Sequence, residues 1–516
     1  MSNHKSVESF PIQYGEGRVL FYVACSLYLL LVVSFLGMFP KMLQLIIASF
    51  ALFATLVLSF RNLTQSVYLT ALVTHIGLII RFNVDPFGMI SLGDLFLLLI
   101  SFSFIFKRLK HGFYGGPIKD CFVILFPLFL VSVLFSPDVK RVLPGAISVL
   151  QIVLVYFLVI NEIRTWDQAR MLINMILITV IAAAFLHVFF YLRGISLLLS
   201  GESATSLLRG DEILNLFDDK TQSLLFVKSS YFFSLIPASV TAIVLGCRYL
   251  FLQRKFRLSI LGFRFIAMTL AIISSLVSGD RTPLVAGGLV CIMIVLERMR
   301  LHPKSGKHLL RFGIAIIGIM VAGYVGLAAQ RQILSQEKYS SFREKFAYES
   351  GTSVMERLLM LKAIPHKVIE FPKEFILGVG PDLSYRAPDN SVISSLMYIE
   401  AINFQPPSFH NFFIDYIFQL GIFSFLIVSY AIAVTLIRLI KSIRLSSDDL
   451  IYDCFFTICG WLILWSSHAT GWSKAVIIFA QLFALAHLVS SGRLVGRRDL
   501  SQKLEKNLYM QYLRET

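Results

Sequence analysis

The sequence predicts an all-α polytopic membrane protein. Three observations carry this. Hydrophobic residues make up 56% of the 516 and charged residues only 15%, against about 25% charged in soluble domains. Mean hydropathy is +0.74. The apolar residues come in runs of helical membrane-spanning length, interrupted by one long polar stretch that opens near Ala328 and closes at Ser408-Phe409-His410-Asn411.

In chain order the candidate spans are roughly 19–39, 42–60, 66–80, 87–106, 121–136, 142–160, 171–192, 224–247, 259–278, 282–297, 312–328, 411–437, 450–467 and 472–489. The third and tenth are short, so the expected total is about 12–14 transmembrane helices. The first run, starting near Val19, reads as a span rather than a cleaved leader, because a dozen more follow it. Three segments result: transmembrane helices 1 to 11 in 1–328, a large loop with short helices in 329–409, and helices 12 to 14 with a tail in 410–516. The six cysteines lie in or beside apolar runs without a C-x-x-C pair, which suits buried thiols.

Lysine and arginine set the expected orientation. With the N-terminus inside, 28 of the 47 fall on inner segments, among them Lys107, Arg108, Arg248, Arg264, Arg298 and Arg444. The long loop carries nine, matched by nine acids, and is expected outside. The surplus of +16 then faces anionic lipid and requires no nucleic acid.

The outer-side charges are the informative ones, because charge at membrane depth is costly. Arg193, Lys474 and Asp94 fit snorkelling or ion pairing at helix ends. Arg209 lies in the loop 194–223, Lys228 starts span eight, and Arg281 stands in the tight turn Ser278-Gly279-Asp280-Arg281-Thr282-Pro283. Asp415 accompanies His410 at the start of span twelve. Several guanidinium groups without surplus acid suit a diphosphate, whose oxygens they pair in bidentate fashion. His410 follows Pro406-Pro407, which set the entry into a helix, and fits a general base or orienting donor. The sequence lacks H-E-x-x-H, P-loop and G-x-S-x-G motifs, and Asp218-Asp219 reads as a solvated pair. Metal-independent transfer with no cofactor is the expectation.

These residues resemble the bacterial O-antigen ligase/polymerase family. Ser278-Gly279-Asp280-Arg281 looks like its S-G-x-R turn. Glu356-Arg357 leading to Leu377-Gly378-Val379-Gly380-Pro381 is similar to its loop helix and G-V-G turn. His410-Asn411, followed by Leu420-Gly421-Ile422, resembles its H-N and L-G elements. Arg209 fits the family's outer-loop arginine two spans earlier. The resemblance covers roughly 205–435. The chain differs in its extra spans and in Asp280 and Pro283, where small residues are common.

The resemblance implies an inverting, metal-independent glycosyltransferase in the bacterial inner membrane. Both termini would be cytoplasmic and the active site would face the periplasm. The donor would be a glycan on undecaprenyl diphosphate, the acceptor another glycan or lipid A–core, with membrane lipid and a chain-length regulator as partners. Arg281 and His410 would be catalytic; Arg209, Arg357, Lys228 and Asn411 would bind substrate. The long loop and extra spans favour a polymerase of O-antigen or exopolysaccharide repeat units. The alternatives are a ligase moving the finished chain and, from another class, a lipid-linked oligosaccharide flippase.

Overall fold

A computed structural model describes residues 19–28, 30, 41–76, 81–84, 88–112, 114, 116, 119–200, 238–252, 258–277, 282–301, 318, 359–381, 394–396, 398, 400, 409, 411–445, 448–467 and 474–494. The chain is an all-α polytopic membrane protein. Its described helices are α1 Val19–Tyr28, α2 Lys41–Arg61, α3 Leu63–Ile76, α4 Leu92–His111, α5 Lys119–Leu134, α6 Val139–Glu162, α7 Trp166–Ser200, α8 Ser239–Leu252, α9 Leu258–Val277 and α10 Thr282–Leu301. After these come α11 Pro372–Leu377, α12 Phe412–Leu420, α13 Ile422–Leu445, α14 Asp449–Ser467 and α15 Lys474–Ser490. A further helical stretch, 359–370, precedes α11, so the described part of the long loop holds short helices.

Among the described residues, five helical segments are long and apolar enough to cross a membrane: Val142–Glu162, Trp166–Phe185, Thr282–Arg300, Ile422–Leu445 and Asp449–Ser466. Five shorter apolar helices accompany them. Large apolar side chains such as Phe50, Phe53, Leu98, Phe102 and Tyr430 stand exposed on helix faces, as a hydrocarbon surrounding requires.

The helix starts follow from capping. Asn62 accepts the Gln65 N–H to begin α3. Thr165 and Gln168 form a reciprocal box at the start of α7, with Gln168 N–H on Thr165 Oγ1 at 3.2 Å and Thr165 N–H on Gln168 Oε1 at 3.1 Å. Asp448 caps α14 through the Leu450 N–H at 2.8 Å. Pro283 falls in the first turn of α10, where a proline's missing N–H costs nothing.

Three expected spans come out differently. The run 87–106 opens with a strand: Arg81–Val84 (β1) pairs antiparallel with Gly88–Ser91 (β2), Arg81 opposite Ser91, and the helix begins at Leu92. The run 171–192 is part of a 35-residue helix, about 52 Å long at 1.5 Å per residue. It outreaches a hydrocarbon core of about 30 Å, and Arg193 lies inside it rather than ending it. The run 411–437 is two helices, broken at Gly421. Of the span 312–328 only residue 318 is described.

The helices share one large core. α8 packs on α9, α10 and α14; α3 lies between α4 and α7; α15 joins α6 to α14. α8 and α10 approach closely because Gly287 has no side chain: a Cβ there would stand 2.5 Å from Ile243 Cγ2. Some polar groups inside the bundle pair across helices, as with Gln481 Nε2 on Thr70 Oγ1 at 2.7 Å and Trp461 Nε1 on Thr241 Oγ1 at 3.0 Å.

Several arginines expected on the inner face are ion-paired between helices. Arg248 of α8 is 1% exposed and bonds Asp453 and, at 3.1 Å, Asp449, both of α14. Arg264 of α9 reaches Asp453 Oδ2 at 3.1 Å. Arg108 and Lys107 of α4 both meet Glu162 at the end of α6.

Candidate functional site

The site is built where the long loop meets α12. Asn411 caps α12: its Oδ1 accepts the Phe413 N–H at 3.0 Å and the Ile414 N–H at 3.2 Å, and its Nδ2 donates to Ser466 O at 2.9 Å. One asparagine thus ends the loop, starts the helix and ties both to the last turn of α14. Asp415, 4% exposed, accepts the Phe409 N–H at 2.9 Å. The Phe409 ring stacks on Phe418, centroids 5.1 Å apart at 22°. Phe412 stacks on Trp465 of α14, centroids 4.4 Å apart.

The other end of α12 holds the G-V-G turn. Val379 N–H donates to Phe418 O at 2.8 Å and Gly380 N–H to Gln419 O at 2.9 Å. These are carbonyls that a helix C-terminus leaves without an intrahelical donor. Gly378 ends α11 and Gly421 ends α12, with φ of 82° and 83°. The two helix ends touch through them. A Cβ on Gly378 would stand 2.4 Å from Gln419 O, and one on Gly421 2.3 Å from Ile376 O. Only glycine fits at either position, for both space and backbone angle. Gly380 seats the turn on the start of α6, where a Cβ would meet Val142 Cγ2 at 2.7 Å. A small core of Val142, Met360, Val379, Leu396, Phe409 and Phe418 fills the joint. The loop is therefore docked on the bundle end through α12.

Beneath α12 lies an apolar cavity of about 590 Å³ between α5, α6, α12, α13, α14 and α15. Phe412, Tyr416 and Leu420, one face of α12 at helical spacing, form one wall; Phe126, Val153 and Phe483 are among the rest. The cavity is walled by Phe412, the residue after the Asn411 cap, and reaches Lys119 at the start of α5.

Of the six residues singled out from sequence, Asn411 is described, and its side chain is engaged as a cap. Arg209, Lys228, Arg281, Arg357 and His410 lie outside the described residues. Neighbours of two of these are described: α10 begins at Thr282, directly after Arg281, and Phe409 and Asn411 flank His410. Asp94 sits in the first turn of α4, where a carboxylate favours the helix dipole. Among the described residues no three His, Cys, Asp or Glu gather to hold a metal ion.

Sequence reasoning missed two parts of this site. Asp415 reads as a charge at a membrane edge but serves as the acceptor for Phe409. Gly378 and Gly421 were legible as turn glycines, but nothing in the sequence says that they meet. The spacing from Asn411 to Asp415 was the available signal, since an acid in the first helical turn reaches back to preceding amides.

Comparison with known proteins fits this geometry. Residues 266–429 match the model of the O-antigen ligase family. The match runs from α9 through the S-G-x-R turn, the docked loop and α12 into α13. No curated protein matches the chain. Through this segment, which holds α12, the G-V-G turn and both glycines of the joint, the chain is similar to the O-antigen ligase/polymerase family.

Proposed function

We propose that the protein transfers a glycan from undecaprenyl diphosphate to an acceptor hydroxyl at the periplasmic face of the inner membrane, polymerising O-antigen or exopolysaccharide repeat units. The observation that carries this reading is the joint itself: the family's G-V-G and L-G elements close on each other at the end of α12, whose apolar face walls a cavity. A carrier with a polar head and a polyprenyl tail suits that pairing of polar edge and apolar depth. The ion-paired arginine-rich helix ends support an orientation with that end and both termini cytoplasmic and the loop 329–409 periplasmic.

In this reading the acceptor oxygen attacks the anomeric carbon with inversion while the bond to the diphosphate oxygen breaks. His410 takes the hydroxyl proton. Arg209 and Arg281 hold the departing diphosphate and stabilise its charge, without a metal. Arg357 closes the site from the loop, Lys228 adds a cation, and Asn411 contributes its second amide hydrogen while holding α12. The acceptor is the glycan of a second carrier, and a chain-length regulator is the expected protein partner. A second reading, transfer of the finished chain to lipid A–core, is favoured by the ligase description of the matched family.

Purified protein with lipid-linked donor and acceptor, under EDTA throughout, tests the proposal. Parental protein is expected to transfer glycan, and His410→Ala to fold normally and lose about 10²–10⁴-fold in rate. A requirement for added divalent metal overturns the metal-free mechanism. Movement of lipid-linked substrate between leaflets without transfer overturns the enzyme reading. Glycan sizing after gene deletion separates the two reactions: single repeats mark loss of a polymerase, and long chains stranded on carrier mark loss of a ligase.

A further inference from the structure

The chain on either side of position 410 is tied to α12 in an unusual way. In a capping box, a side chain at the third helical position accepts the N–H of the cap residue itself. Here the acid comes one residue later, at the fourth helical position, and its bond passes over both the cap and residue 410. Asp415 Oδ1 takes the N–H of Phe409, at 2.9 Å and buried. Asn411, on the other side, is fixed by three hydrogen bonds to Phe413, Ile414 and Ser466. Asp415's own N–H bonds Asn411 O at 2.9 Å, so cap and clamp share one helical turn. The Phe409 ring, 6% exposed, is held against Phe418. A single residue, His410, lies between the two tied positions.

We infer that Asp415 is a positioning residue for the transfer reaction, acting through the backbone of Phe409 to fix where the chain presents residue 410. This rests on the reading of His410 as the proton acceptor. The physical need is plain. A general base must stand within hydrogen-bond reach of the proton that it takes. A displacement of about 1 Å costs on the order of a hundredfold in rate. A histidine entering a helix from a long loop is free on its upstream side unless that side is anchored. Asp415 supplies the anchor, and its low exposure keeps water from competing for the Phe409 amide.

What the clamp uses is an oxygen at a fixed distance from the helix backbone, rather than a charge. Asp415→Asn keeps the oxygen and removes the charge. Asp415→Glu keeps the charge and moves the oxygen outward by one methylene. Asp415→Ala removes both. In the transfer assay, Asn is expected to stay within about threefold of the parental kcat, since a neutral acceptor still bonds the amide. Glu and Ala are expected to lose about tenfold or more in kcat with an unchanged KM for donor. Hydrogen exchange at the Phe409 amide, read by mass spectrometry of the purified protein, should stay slow in the parent and Asn and become fast in Glu and Ala. If Ala does not fold, the contrast between Asn and Glu decides. Parental kcat in Glu and Ala, or a loss in Asn equal to that in Ala, overturns the proposal. So does an effect confined to KM. A parental protein that transfers no glycan overturns the functional reading and this proposal with it. Fast exchange at Phe409 with undiminished transfer removes the proposal alone.

Discussion

Replacing Gly378 with alanine tests the docked joint at its tightest point. Gly378 has φ 82° and ψ 161°, a region open essentially to glycine alone, where another residue costs of order 1–3 kcal/mol. The added methyl would also stand 2.4 Å from Gln419 O and 2.7 Å from its carbonyl carbon. Both are backbone atoms, so no rotamer change relieves the overlap, and the turn must lift from α12. Lifting removes the bonds from Val379 and Gly380 to Phe418 O and Gln419 O, each contributing about 0.5–1.5 kcal/mol. The docked arrangement is therefore expected to lose about 2–6 kcal/mol, which reduces docked relative to undocked loop by about thirtyfold or more. Gly112→Ala is the control: its φ is also 82°, but a Cβ there meets nothing within 4 Å. The assay is thermal unfolding of purified protein together with the transfer rate. Gly378→Ala should lose most of the transfer rate, and Gly421→Ala should lose a similar amount. The double variant should be little worse than either, because both break one contact. If Gly378→Ala behaves like Gly112→Ala, contact between the helix ends is not what holds the loop.

Cysteine labelling with an impermeant reagent tests orientation: Ser391→Cys should label in intact spheroplasts and Ser446→Cys should not, and the reverse result sinks the assignment. Arg281→Lys keeps the charge but loses the bidentate fork, so transfer should fall strongly with normal membrane insertion. Arg209→Ala should act similarly and Arg193→Ala mildly; parental transfer in Arg281→Lys refutes bidentate diphosphate binding at that residue. Asp453→Ala leaves Arg248 and Arg264 without their shared carboxylate and should cost about 3–5 kcal/mol, read as a lowered unfolding temperature; an unchanged temperature refutes the pairing.

Much of the fold was legible because membrane burial leaves the plainest mark that a sequence carries. The runs 42–60, 142–160, 259–278 and 450–467 each lie within a helix or extend it by a residue at most. Where the reading failed, backbone angle or tertiary pairing decided. The run 411–437 is predominantly apolar sequence, and a single glycine in it does not betray that φ 83° splits it in two. Arg248 and Arg264 counted only as inner-side charges because hydropathy knows nothing of partners. Their carboxylate, Asp453, lies some two hundred residues away in sequence. In the site, His410-Asn411 and the G-V-G turn were visible as ordered motifs. What docks the G-V-G turn on the end of α12 is a pair of backbone hydrogen bonds, which the absence of a Cβ on the neighbouring glycines permits.

The contrast between His487 and position 410 shows why position, rather than residue type, carries the functional argument. His487 lies in α15, 0% exposed. Its Nδ1 is 2.7 Å from Tyr156 Oη and its Nε2 is 2.5 Å from Thr435 Oγ1. Thr435 donates its one hydroxyl proton to Ala431 O at 2.7 Å, so its oxygen must accept from Nε2–H. Nδ1 is then the acceptor and Tyr156 the donor. A single neutral tautomer satisfies all three groups, and the hydrogen bonds run one way, from α6 through α15 to α13. Neither ring nitrogen is left for substrate, so His487 ties three helices together. From sequence, a histidine within an apolar run and a histidine after two prolines differ only in context. Position 410 precedes a capped helix in the sequence, and its neighbours Phe409 and Asn411 are both held. In the proposed reaction, those two anchors hold the chain on either side of the residue assigned to take the proton.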